Sequence, residues 1–270
     1  MWVIKLYWDF IKMFLKVKFE YKVAFFFELI SNAITIIVMY LGFWLIFDKF
    51  KFITGWNYYE IVFIYSINIL CVAISGMVIF SPMMSIFNLV RQGSFDSMLI
   101  RPIDPLLHLI FKNFSYTYIP WLIPVPFALY SCFVHLDIQL TLTKILLFSF
   151  LFLGGLLINI GLLISAGALS FWLIDSGFLV SILCMHNNSI RSFCDFPITI
   201  YSKWIQVILT FVIPYAFTNF YPSLYFLNRR DIFLFHPYFQ FGTPIVGIIV
   251  FGISLLIWKK GLSRYQSTGS

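Results

Sequence analysis

Charge is what this chain has least of: 11% of its residues are Asp, Glu, Lys or Arg, where a soluble domain carries about 25%. With 61% hydrophobic residues and a mean hydropathy of +0.93, that shortage excludes an ordinary soluble core. The 270 residues read as one membrane domain, residues 1–270. Catalytic signatures are missing as well. No G-x-x-x-x-G-K-[ST] loop is present to cradle nucleotide phosphates, so the chain is not an ATPase by itself. His108, His135, His186 and His236 stand in no metal-ligand spacing and read as interfacial polar groups, and no serine sits in a G-x-S-x-G elbow. Cys71, Cys132, Cys184 and Cys194 form no C-x-x-C pair, so free thiols are expected, with no metal site and no disulfide. The net charge of +7 is spread between apolar stretches instead of forming one basic patch, which excludes a nucleic-acid module. The first residues lack the basic tip, apolar run and small-residue cleavage site of a signal peptide.

What the chain has in abundance is long apolar runs. Crossing a bilayer takes about 20 apolar residues as a helix, because no water is there to satisfy the backbone. Six stretches meet that demand, giving an all-α membrane protein with six expected spans: 29–47, 61–80, 114–134, 145–169, 204–220 and 240–258. The third contains Pro120, Pro124 and Pro126, which predict a kink or break near one end. In the fourth, sixteen Leu, Ile or Phe side chains favour insertion by roughly 5 to 10 kcal/mol. Its Gly154, Gly155, Gly161, Ser165 and Gly167 predict close packing on another helix. The fifth carries Pro214. Residues 171–190 hold Asp175 and the run His186, Asn187, Asn188, and read as a helical extension or an interfacial segment.

Lys and Arg concentrate on cytoplasmic flanks. With the N-terminus inside, thirteen basic residues (Lys5, Lys12, Lys16, Lys18, Lys22, Arg91, Arg101, Lys112, Arg191, Lys203, Lys259, Lys260 and Arg264) fall inside. Five (Lys49, Lys51, Lys144, Arg229 and Arg230) fall outside. Both termini are therefore expected in the cytoplasm. Over residues 1–23, Lys5, Asp9, Lys12, Lys16 and Glu20 recur every three to four positions, a polar stripe that predicts an amphipathic helix in the cytoplasmic interface. The alternative is a basic flank anchored by Trp2, Tyr7 and Trp8.

The expected spans carry no Asp, Glu, Lys or Arg at their centres, which argues against an ion-coupled carrier. Asn68 and Asn159 are the mid-span amides; they are either helix-to-helix hydrogen bonds or candidates for lining a path. Residues 82–105 form the richest loop. Ser81-Pro82 reads as a helix start, Gly93 as a stop, Ser94 as the cap of a second short helix to Arg101, and Pro102 and Pro105 as its end. Phe87, Leu89, Met98, Leu99 and Ile100 are apolar for a solvated loop and suggest a protein partner.

The segment RQGSFDSMLIRPIDP (91–105), the later FVIPYAFTNFYPS (211–223) and the tail WKKGLSRYQSTGS (258–270) resemble the permease subunits of bacterial ABC-2 type exporters, in particular their short six-span branch. The resemblance covers nearly the whole chain in order and spacing. It implies the ABC-2 exporter fold in the bacterial cytoplasmic membrane, with an interfacial N-terminal helix and a short cytoplasmic tail (259–270). It further implies a separately encoded ATPase that holds ATP and Mg and docks on the cytoplasmic loop, a second permease copy or a related permease as dimer partner, and surrounding membrane lipid. Arg91, Gly93, Asp96, Leu99, Arg101 and Pro102 are the expected coupling residues, with Arg101 meeting either an ATPase carboxylate or a lipid phosphate. The expected cargo is amphiphilic: a drug-like natural product, a peptide or a lipid. A membrane-embedded lipid-modifying enzyme and a secondary carrier are the alternatives; scattered reactive side chains and the absence of inverted repeats weigh against them.

Overall fold

The computed structural model describes residues 7, 11–13, 16, 19–173, 177–184, 189–229 and 235–265. Among these the fold is helical throughout, with one isolated bridge between Ile53 and Trp56 in a turn. Five helical stretches are long and apolar enough to cross a membrane, and a sixth counts if a bent pair is one span. Lys5, Asp9, Asp175, His186, Asn187 and Asn188 lie outside the described residues.

Helix α1 (Lys22–Lys49) buries only Phe25, Ile36, Phe43 and Phe47. The remainder of its apolar surface faces outward, as suits a helix solvated by lipid. A tight turn with Thr54 at φ +47° and Gly55 at φ +83° leads to α2 (Tyr58–Ser75), started by a capping box. The Asn57 side chain accepts from Glu60 N–H, and Glu60 accepts from Asn57 N–H, both at 2.9 Å.

α2 does not stop where Ser81-Pro82 suggested. A π turn over Gly76–Phe80 carries it directly into α3 (Ser81–Arg91), making one 34-residue stretch with 78% of its apolar window buried. The wider turn accommodates Pro82, whose ring would clash with the carbonyl four residues back and which lacks an N–H. This stretch is the axis of the bundle. Short helices α4 (Asp96–Leu99) and α5 (Pro105–Lys112) follow. The third crossing stretch is Tyr116–His135, a 3-10 segment to Leu122 followed by α6 (Pro124–His135). Its prolines break it near one end, as expected.

The fourth stretch, α7 (Leu142–Ala168) with a final turn to Phe171, packs closely on the last helix, α11 (Thr243–Arg264). The glycines make this approach possible. A Cβ on Gly154 would stand 2.7 Å from Pro244 Cα, and one on Gly247 would stand 2.5 Å from Gly154 O. One on Gly161 would stand 3.1 Å from Phe251 Cα. The expected close-packing face thus has a named partner. The two helices run parallel, because Gly154 meets Pro244, Gly161 meets Phe251 and Phe171 meets Gly261.

The region between α7 and α11 departs most from expectation. Helix α8 (Gly177–Cys184) begins against Phe87 at the loop end of the bundle. Residues 190–200 then form two 3-10 turns. Along them Asp195 meets Asn68, Phe196 meets Phe43, and Thr199 accepts from Trp56 Nε1 at 3.0 Å. The chain therefore runs the length of α2–α3 in the opposite direction, from Phe87 to Trp56. The expected span 204–220, with Pro214 inside it, is a pair, Lys203–Val212 and Tyr215–Phe226, bent by 79°. It comprises α9 (Lys203–Val207) with a π turn and, after Pro214, a 3-10 turn and α10 (Phe220–Phe226). The two arms meet through Thr210 and Tyr221, whose hydroxyls are 2.8 Å apart. The pair begins shortly after Thr199, beside Trp56, and ends at Arg229, which donates to Glu60 at 2.7 and 2.8 Å. Both of its ends thus lie at the Trp56–Glu60 end of the bundle.

Candidate functional site

Gln92 caps α3, its N–H donating to Asn88 O at 2.9 Å, and Gly93 follows with φ +68°. This is the left-handed residue that ends a helix, where a side chain would be strained. Gly93 turns the chain so that Phe95 points inward, fully buried. The Phe95 ring lies 5.4 Å from Phe171 at the end of α7 and 5.1 Å from Tyr265 at the end of α11. Phe171 also meets Trp258 at 5.3 Å. A single aromatic cluster therefore ties the loop to two membrane helices.

Met98 is buried in the same apolar cluster as Ile79, Met83 and Trp258, and Phe87 packs on Gly177. Much of the loop's apolar character therefore serves internal packing; Leu99 and Ile100 are the side chains that remain exposed, at 43% and 86%. Ser94 does not cap the following helix. Its hydroxyl donates back to Leu89 O at 3.3 Å, and α4 has no side-chain cap. Asp96 opens α4 beside the Tyr265 hydroxyl, which burial and then the Asp96 carboxylate push up to about 12.

Arg91 and Arg101 are exposed, as is Pro102 in the bend after α4. Arg101 Nη1 lies 3.2 Å from His108 Nε2. His108 is buried on α5, and its pKa is lowered by burial first and then by Arg101 and Lys112. A neutral imidazole accepting from the guanidinium satisfies both observations. α5 is started by Asp104, which accepts from Leu106 and Leu107 N–H at 2.9 and 3.1 Å, with Pro105 in the first turn. Sequence reasoning gave Phe95, Asp104 and Tyr265 no role and read His108 only as an interfacial polar group. The Asp104-Pro105 pair was a legible helix start; the others become visible only through contacts far along the chain.

At the N-terminus, Lys12, Lys16 and Glu20 are exposed, Ile11 is buried, and Tyr7 packs 5.2 Å from Phe111 of α5. Asn68 is fully buried and donates to Asp195 Oδ1 at 2.8 Å. Asn159, also buried, donates to Gly155 O of its own helix at 3.1 Å, not to another helix. Asp195 in turn faces Arg191 at 3.5 Å, with side chains 6% and 1% exposed. Charge is therefore present inside the bundle, in the connection between the 171–190 segment and the expected fifth span. Next to it Asn219 donates to Cys194 O at 2.6 Å and Ile64 O at 3.2 Å, which fastens the bent pair to the same place. Cys71, Cys132 and Cys194 are buried free thiols, and among the described residues no group of His, Cys, Asp or Glu could hold a metal.

The arrangement is a bundle with one structured loop built into the ends of two helices. No catalytic constellation accompanies it among the described residues. The family model described as ABC-2 family transporter protein matches residues 33–269. No curated protein and no solved structure matches the chain. The match takes in the axis helix, the Gly93 loop and the closely packed α7–α11 pair, and by it the chain belongs to the ABC-2 family of transporter proteins.

Proposed function

We propose that this chain is the permease subunit of an ATP-binding cassette exporter, which encloses the path for an amphiphilic cargo while a separate subunit binds ATP and Mg and hydrolyses the nucleotide. The observation that carries the reading is the Phe95 cluster, which joins the loop after Gly93 to the ends of α7 and α11. A push on exposed Leu99 and Ile100 would reach two membrane helices through packed rings. The missing phosphate loop and the family match support a partner ATPase, and a second permease completes the path.

In this reading the fifth crossing is 177–200 and the bent pair 203–226 is re-entrant, so the six-crossing count is kept. Both termini then lie in the cytoplasm of a bacterial cell membrane, with residues 1–23 along its inner surface. Moving Lys203 to the outer flank and setting aside buried Arg191 leaves eleven basic residues inside (Lys5, Lys12, Lys16, Lys18, Lys22, Arg91, Arg101, Lys112, Lys259, Lys260 and Arg264). Six lie outside (Lys49, Lys51, Lys144, Lys203, Arg229 and Arg230), and the bias keeps its sign.

The buried Arg191–Asp195 pair is the observation that would favour a secondary carrier. Its charges cancel, and both side chains are closed off. The two readings separate on purified material. The chain alone should hydrolyse no ATP, and co-expression with its separately encoded ATPase subunit should give a stable complex that does. Intrinsic hydrolysis by the chain alone, or transport driven by an ion gradient without nucleotide, would overturn the proposal.

A further inference from the structure

The end of the bundle opposite the loop holds a polar feature that the exporter reading does not use. α6 and α10 both finish there, each closed by a backbone bond reaching five residues back: Ile138 N–H to Phe133 O and Arg229 N–H to Leu224 O, both 3.1 Å. α7 starts beside them, with Thr141 accepting from Lys144 N–H at 3.4 Å. Between the three helix ends lies a cavity of about 470 Å³ lined by Asp137, Ile138, Lys144, Tyr225 and Asn228, within the size range of small-ligand sites.

Its two charged residues sit at the unfavourable ends of their helices. A helix carries partial positive charge at its N-terminus and partial negative charge at its C-terminus. Asp137 stands just past the end of α6 and Lys144 in the first turn of α7, so each opposes the dipole of its own helix. Pairing with each other would offset that cost. Yet the ion pairs among the described residues are Arg191–Asp195 and Arg229–Glu60, and Asp137 and Lys144 both line the cavity instead. Electrostatically the cavity has a negative side, made by Asp137 and the C-termini of α6 and α10, and a positive side, made by Lys144 and the N-terminus of α7.

We propose that this cavity binds a zwitterion, with a primary ammonium on the Asp137 side and a phosphate or carboxylate on the Lys144 side. Both helix dipoles are then answered by one guest. The site lies where the apolar run of α7 begins, at Leu142, which is the depth of lipid headgroups. An ammonium can donate hydrogen bonds to Asp137 and to helix carbonyls, whereas a quaternary choline cannot. The chemistry accordingly selects phosphoethanolamine over phosphocholine and over an anion without an ammonium. The ligand is either a phosphatidylethanolamine headgroup or a free zwitterion of the same chemistry.

The test is to reconstitute the full chain in vesicles of phosphatidylethanolamine, phosphatidylcholine and phosphatidylglycerol, and to measure lipid retained after extraction by native mass spectrometry. Phosphatidylethanolamine should be retained at least about tenfold better than either other lipid, the worth of one charge-assisted hydrogen bond. Asp137→Asn and Lys144→Gln should each abolish that preference, and Lys51→Gln, on the same end but outside the cavity, should keep it. Soluble O-phosphoethanolamine distinguishes the sources: displacement of the lipid supports a site for free zwitterions, and no displacement supports a lipid headgroup site. Equal retention of all three lipids without O-phosphoethanolamine binding would overturn the proposal, as would a preference that survives both cavity substitutions.

Discussion

Asp195→Ala is the substitution whose cost the structure fixes best. The carboxylate faces Arg191 at 3.5 Å and accepts from Asn68 at 2.8 Å, and the guanidinium is 1% exposed. Removing the carboxylate takes the Asp195 counter-charge from a cation buried near Tyr65 and Cys194. Breaking a buried pair from one side costs about 3–5 kcal/mol, while replacing both partners by apolar groups is often neutral or better. Asp195→Ala and Arg191→Met should therefore each destabilise strongly, and the double variant should recover most of the loss. The assay is equilibrium unfolding in mixed micelles followed by tryptophan fluorescence, run as a double-mutant cycle. Both single variants lying within about 1 kcal/mol of wild type, the ordinary effect of a point substitution, would mean that the pair is hydrated or broken. The placement of 190–200 along α2 would then be wrong.

Three further outcomes follow from named contacts. Gly247→Leu drives a side chain into Gly154 O, 2.5 Å from its Cβ; it should separate α7 from α11, and a cysteine pair across that seam should lose its cross-link. Phe95→Ala empties a fully buried site and should cost the loop about 3–5 kcal/mol, seen as faster hydrogen exchange over residues 94–100 with little change in the spans. His108 carries a pKa lowered by burial. Its contribution to loop stability is therefore complete above its ordinary value of about 6.5 and is lost progressively as pH falls from there through the lowered value of the closed loop, because the opened loop takes a proton that the closed one refuses. The protection of residues 96–112 relative to intrinsic exchange at each pH should fall at acid pH, and His108→Gln should flatten the dependence.

These sites differ in how far the sequence disclosed them. Gly93, the prolines of the third stretch and the glycines of α7 act through local backbone chemistry, and their roles were readable at once. The course of 177–200 was not, because Arg191 and Asp195 interrupt its hydropathy and its 3-10 turns give no helical period. The bend at Pro214 was hidden for the opposite reason: residues 204–220 are as apolar as a straight span, and only contacts with Trp56 and Glu60 show that both ends return to one side. Ser81-Pro82 does open the α-helix to Arg91, but no break precedes it, because the π turn over Gly76–Phe80 joins it to the span before. Phe95 and Tyr265 lie too far apart in sequence to be paired by any local pattern.

In the proposed exporter the loop after Gly93 receives the ATPase, and Ile100, 86% exposed, is the place to measure it. With Ile100→Cys co-expressed with the proposed ATPase subunit, a short thiol cross-linker should join the two proteins, and the yield should change between the ATP-bound and nucleotide-free states. A cysteine at Lys51, at the other end of the bundle, should give no such product. Absence of cross-linking at Ile100 in a complex that still exports its cargo, or equal cross-linking at Lys51, would contradict the account.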